Sequence, residues 1–405
     1  MKKAFFIVLI ILFMITENRG QIKAGNDDVI TVDVRRSYSS KKELIIQDLM
    51  DVEYVVLETN NDFVNQGFVQ DIGKEIILVR NRVNDGDIFV YNRQGKALRK
   101  INRKGQSGEE YTWASSITLD EDNGEMFVND FNLRRIFVYD LFGKFKRKFE
   151  HRESAHYKYY TNIFNYDKSN LIAYNNDKNI TFHLISKKDG QITKEIKIPF
   201  KEKKNLSQFK QDPNIDIRSL NMTEIPEGFI PGRMVAPPHE TIHPIFPYKD
   251  RWILIEFSSD TVFTFLPDYS LQPIIARTPS IQSMNLEVML ILRLVSERYY
   301  FMDKIVNEYD WDKGSGFPRT ALVYDKQEKA FSDYILYNGD FSTKKQIPIV
   351  RFKPVNHEIE LWQPIEPFEL VDDYKKGILK GKLKEIAATL DAEDNPVIML
   401  VKYRQ

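Results

Sequence analysis

Two stretches of this chain are near copies of one another. Residues 88–101 read IFVYNRQGKALRKI and residues 136–149 read IFVYDLFGKFKRKF, with 8 of 14 positions identical at an offset of 48. Each copy is an apolar run, a turn carrying Gly95 or Gly143, and a second run, the pattern of a β-hairpin. Upstream of the second copy, SITLDEDNGEMFVND supplies another strand pair around Asn123-Gly124; upstream of the first, FVQDIGKEIILVRN does the same around Gly73. Four short strands recurring at this spacing are the sequence form of a propeller blade.

The pattern continues with less fidelity. Residues 162–198, 243–276 and 299–336 repeat the order of strands and turns, and 393–403 (EDNPVIMLVKY) is a turn followed by an apolar strand. Alternation such as F-V-Y-D and T-V-F-T-F has the period of half-buried strands. Five units and a terminal strand leave one blade incomplete. The N-terminal runs VITVDV (29–34) and VEYVVLET (52–59) are unpaired and available to complete it. Mixing first and last strands in one blade closes a ring and removes its open edges. The fold class is therefore all-β: a six-bladed β-propeller over 25–405, closed by N- and C-terminal strands. Residues 200–240, rich in Lys, Asn and Pro, read as an excursion between blades. A stripe at Leu379, Leu383, Ile386 and Leu390 predicts a small C-terminal helix within 366–390, despite Gly377 and Gly381.

The runs at 117–149 (ITLDEDNGEMFVNDFNLRRIFVYDLFGKFKRKF), 258–276 (SSDTVFTFLPDYSLQPIIA) and 390–403 (LDAEDNPVIMLVKY) carry a family likeness. The chain resembles the six-bladed β-propeller family of exported proteins from Bacteroides-type bacteria, with repeats in the style of NHL propellers. The resemblance implies a fold and an exported location, and no catalytic set comes with it. Relatives of this kind are often lipoproteins, and this chain departs from them in having no cysteine to lipidate.

The N-terminus supports export. Lys2 and Lys3 precede an apolar run over residues 4–15, which suits a secretory signal peptide over 1–24 and is too short to span a bilayer. With no cysteine, disulfides, thiol catalysis and thiolate metal sites are excluded, and a periplasmic or secreted location is expected. Lys+Arg and Asp+Glu each number 58, so the formal charge is zero, which argues against nucleic acid as a partner. The basic cluster KFKRKF (144–149) is followed at once by Glu150 and Glu153.

Residues 239–243 read HETIH, the H-E-x-x-H pattern of zinc hydrolases. That chemistry needs both histidines on one helical face, and Pro244 pushes His243 out of the α region. Beyond it, IFPYKDRWILIEF is strand-like, so the third ligand would have to be Glu256 in an alternating strand. Protease chemistry and a metal are therefore rejected. His239, Glu240 and His243 remain as ligand-contacting candidates on an inter-blade loop. DEDNGE (120–125) has the opening of a calcium loop but lacks the distal glutamate, and reads as a hairpin turn. His151 and His156, near Tyr157, Tyr159 and Tyr160, are channel-mouth candidates, as is Trp113; Trp252 reads as strand core.

No G-x-S-x-G elbow, P-loop or dinucleotide fingerprint is present. The function expected is a non-catalytic, monomeric binding module of the periplasm or cell envelope, without cofactor, for glycans or envelope proteins. The alternative is an enzyme acting on a polysaccharide or small exported substrate at the channel mouth. Fold alone does not separate them.

Overall fold

The computed structural model describes residues 29–81, 85–151, 160–175, 181–212, 214, 231–237 and 242–404. The signal-peptide expectation lies outside these residues.

Six antiparallel blades follow one another around an axis. Blade one comprises Phe68–Ile72, Ile76–Arg80, Asp87–Asn92 and Ala97–Asn102. Blade two, its repeat, comprises Ser116–Asp120, Glu125–Asp130, Arg135–Asp140 and Phe145–Glu150. Blade three runs from Tyr160–Asn165 to Ile192–Ile196, and blade four from Ile245–Tyr248 to Leu271–Thr278. Blade five begins at Val288–Val295, a strand earlier than the repeat at 299 suggests, and ends at Ala330–Tyr337. Blade six takes Lys353–Pro354, Ile359–Ile365 and Val397–Lys402 from the C-terminal region.

The N-terminal segment wraps the outside of the ring. Strand β1 (Ile30–Asp33) pairs in parallel with the outer strand of blade four, and β2 (Lys41–Ile45) does the same on blade five. Strand β3 (Asp51–Val56) then becomes the outer strand of blade six, antiparallel to Val397–Lys402. Closure by first and last strands is thus present. The run at 29–34, however, adds a fifth strand to blade four and takes no part in the closing blade.

The repeated IFVY run has a physical reason. Side chains alternate across a strand, and in a propeller both faces of an inner blade are covered. Ile136 and Val138 pack toward blade three, whereas Phe137 and Tyr139 pack toward blade one. In the first copy Ile88 and Val90 face blade two, and Phe89 and Tyr91 face blade six. Between blades one and two, Ile88 and Val90 from one side therefore meet Phe137 and Tyr139 from the other.

The repeated glycines and arginines also sit between blades. Gly95, Gly143 and Gly190 turn with φ of +82°, +84° and +71°. Each lies against the outer strand of the preceding blade, touching Val56, Ile101 and Phe149 respectively. Arg99 Nε donates to Leu141 O at 2.8 Å, and Arg147 Nε donates to Lys187 O at 2.9 Å, so each outer strand is tied to the next blade's turn.

The segment 366–390 forms two helices rather than one stripe, Pro367–Lys375 and Gly381–Ala387. The chain leaves the first at Gly377, whose φ of +70° is the left-handed geometry that ends helices. Leu370, Leu379, Leu383 and Ile386 are buried together against Val397. The inter-blade excursion contains a ribbon of Gln208–Gln211 with Gly232–Val235.

A Cβ on Gly95 would meet Val56 O at 1.9 Å, whereas one on Gly124 (φ +62°) would meet nothing within 4 Å. Gly95→Ala is expected to destabilise the fold by about 3 kcal/mol and Gly124→Ala by about 1 kcal/mol. Urea unfolding of the two variants checks this difference; equal losses would remove the inter-blade role of the repeat glycine.

Candidate functional site

The innermost strand of each blade has a free backbone edge facing the axis, and unpaired buried backbone groups are costly. Side chains from neighbouring blades cap these edges. Asn356 Nδ2 donates to Ile72 O at 2.7 Å, from blade six to blade one. Leu119 N in blade two donates to Asp71 Oδ2 at 2.7 Å. Thr118 Oγ1 donates to Ile163 O at 2.9 Å, and Asn129 Nδ2 to Tyr160 O at 3.0 Å, from blade two to blade three.

Where the inner strands finish, five blades enclose a cavity of about 280 Å³. Its wall includes Asp71 (blade one), Leu119 (blade two), Asn165 (blade three), Trp252 (blade four), and Asn356 and His357 (blade six). Asp71 is aimed by a β-bulge between Val69 and Asp71, the kind of irregularity that re-directs a side chain. Its carboxylate accepts from Leu119 N and from Ile72 N at 2.8 Å. Burial outweighs these bonds and, with the charge of Glu121, pushes the Asp71 carboxyl up to about 7. His357 stands edge-on to Trp252 with ring centroids 4.6 Å apart. Burial holds its pKa below the usual histidine value, against a hydrogen bond to the Lys249 backbone, and its Nδ1 has no partner. The Asn165 amide has no hydrogen bond among the described residues. The Asp71 carboxyl, the Asn165 amide, the His357 ring and the aromatic rings of Phe164 and Trp252 thus line one cavity.

The residues predicted from sequence take other places. His239, Glu240 and His156 lie outside the described residues. His243 is fully enclosed: its Nε2 is 3.1 Å from Phe352 O, a staple from blade four to blade six, and burial lowers its pKa to about 3. It is a buried group, placed there by the Ile245–Tyr248 strand that follows. Glu256, the third ligand a zinc site would need, is committed to Lys203 at 2.7 Å and to Tyr174. His151 is likewise buried, with Nε2 2.8 Å from Asn129 Oδ1 and its pKa lowered to about 4 by burial. Of the described candidates Trp113 alone is exposed, at 38%. Its loop is anchored by backbone bonds from Thr112 and Trp113 to Asp130 Oδ2. Of the described candidates, His151 and the Trp113 loop both lie beside Asn129–Asp130, while His243 lies against Phe352.

DEDNGE is a turn with every acid engaged. Asp120 pairs with Lys187 at 2.7 Å, Glu121 accepts the backbone N–H groups of Lys74, Glu75 and Ile76, and Glu125 pairs with Lys146 and Arg147. Among the described residues no cluster of three or more His, Asp or Glu side chains is arranged to hold a metal. Asp71, Asn165, Asn356 and His357 were not found by sequence reasoning. The one signal at Asp71 was an acid interrupting the strand pattern of FVQDI.

No curated protein matches the chain by sequence. Among solved structures, it is similar to a protein of Bacteroides fragilis described as exported, with 13% identity, a TM-score of 0.56, and coverage of 90% of this chain and 100% of that one. It is less similar to a member of the DUF4221 family from Bacteroides vulgatus, with 9% identity and a TM-score of 0.42 over 87% and 96% of the two chains. The first likeness is one of fold. Residues 29–276 match the family described as Domain of unknown function (DUF4934), more than half of the chain, and the protein belongs to that family.

Proposed function

We propose that this propeller is an exported, non-catalytic binding module whose ligand, a glycan or a segment of an envelope protein, enters the cavity lined by Asp71, Asn165 and His357. The observation that carries this reading is the convergence of five blades on one cavity of about 280 Å³, in which the Asn165 amide stands beside the aromatic rings of Phe164 and Trp252. Binding pockets combine such apolar walls with a few directed polar groups. The charged, apolar-cored N-terminus over residues 1–24 supports export to the periplasm or beyond, and the Bacteroides fragilis protein of similar fold is described as exported. A monomer is sufficient, since the cavity is built from one chain.

Titration of acidic and neutral oligosaccharides and envelope extracts, read by Trp252 fluorescence, is the test. Asn165→Ala should weaken binding about 5- to 10-fold, the loss of one hydrogen bond, and leave the melting temperature in place. Unchanged affinity in the variant would move the ligand elsewhere.

Asp71 favours a second reading, an enzyme using general acid–base chemistry at this mouth, because a carboxyl titrating near 7 both gives and takes a proton at neutral pH. The sign is that of a raised acid: Asp71 holds its proton from its ordinary value near 4 up to about 7, and the cost of the buried anion falls on the fold above that pH. A carbon-13 titration of the Asp71 carboxyl should show a midpoint near 7. A midpoint in the ordinary carboxylate range would leave only the binding role.

A further inference from the structure

The opposite mouth, where the inner strands begin, is basic. Lys353 opens the inner strand of blade six, and Arg80 lies directly across from Phe68 in blade one. Both heads rest against the same ring: Lys353 Nζ is 4.1 Å, and the Arg80 guanidinium carbon 4.8 Å, from the Phe68 centroid. Among the described residues the Lys353 ammonium has no hydrogen bond and no ion pair. Arg80 donates only to carbonyls, Asn81 O at 2.9 Å and Ser115 O at 3.2 Å, and its Nε is buried without an acceptor. Among the described residues neither cation has an ion pair with a carboxylate, and Asp85 acts on Arg80 only through its charge.

Three other interior cations are neutralised, whereas the buried Lys304 donates to Arg36 O. Lys187 pairs with Asp120, Lys203 with Glu256 and Arg293 with Asp303, each at 2.7 Å. A half-buried cation without a counter-charge is unfavourable, and contact with an aromatic face holds it in place without removing its charge. The strain is visible in Lys353, whose ammonium burial and Arg80 push down to about 8, and in the neutrality of His243 nearby. Two residues before the carbonyl that holds Arg80, Trp113 exposes its indole.

We propose that this mouth is an anion site, in which Lys353 and Arg80 bind one oxyanion group, a carboxylate or sulfate, of a ligand that enters past Trp113. The ammonium supplies charge-assisted hydrogen bonds, the Arg80 guanidinium adds positive charge, and Phe68 sets the floor. The site is distinct from the Asp71 cavity and does not depend on a ligand binding there.

Thermal unfolding of the mature protein at pH 7 tests this, with sodium sulfate and sodium glucuronate titrated separately against chloride at constant ionic strength. A rise of a few degrees in the wild type that is lost in Lys353→Met supports the site, since a ligand bound only by the folded state raises its stability. A rise with both anions assigns a general oxyanion site, and a rise with glucuronate alone assigns an acidic sugar. Equal rises in wild type and variant would be a bulk salt effect and would overturn the proposal, as would no rise with either anion. In chloride alone Lys353→Met should melt no lower than the wild type; a variant melting several degrees lower would make Lys353 a structural residue. If Lys353→Met does not fold, Arg80→Gln carries the same anion titration with the same outcomes.

Discussion

The pairing of β3 with Val397–Lys402 is the bond on which the ring depends. The clusters that join blades six and one, one and two, and two and three lie between blades rather than within one, so each of these blades gains its core from its neighbours. An open ring would leave two such faces wet. The antiparallel register from Asp51 opposite Lys402 to Val56 opposite Val397 removes both faces at once. The same strand gives blade one its missing neighbour, since Val56 receives the Gly95 turn as Ile101 receives that of Gly143. Strands β1 and β2 extend this device by covering the outer edges of blades four and five.

A second constraint lies at the axis. Inner strands need partners for their free edges, and side chains from other blades supply them. Asp71, Thr118, Asn129, Asn356 and His243 all serve in this way. Capping from the side brings polar groups to the axis without filling it. The cavity at one mouth follows, and so does the doubled role of Asp71, which braces blade two while presenting a protonatable oxygen. Polar groups retained in such places have their pKa values set by burial, upward for the acid and downward for the histidines.

The two mouths differ in charge. The finishing end collects Asp71, Glu121, Asp122 and Glu358 around its cavity, whereas the starting end places Lys353 and Arg80 against Phe68. A chain with zero formal charge thus divides its charge along the axis. Net charge is a sum and carries no information about this arrangement.

The IFVY repeats, their glycines and their spacing were enough to define blades, because strand alternation and turn geometry are local and repeat with the chain. The closing strand was legible for the same reason, as an apolar run without a partner. What the HETIH pattern meant was half legible: Pro244 excluded the helix, but only the folded ring showed that His243 is a staple to Phe352. The division of 366–390 into two helices turned on the φ of Gly377, which composition does not reveal. Asp71, Asn165, His357, Arg80 and Lys353 come from blades one, three and six, and apart from the acid that interrupts FVQDI nothing in their neighbours marks them. Their proximity is a property of closure, and closure is a long-range event. The sequence by itself determined the blade and its repetition; the tertiary structure alone decided which side chains meet at the axis, because that depends on how six blades pack around it.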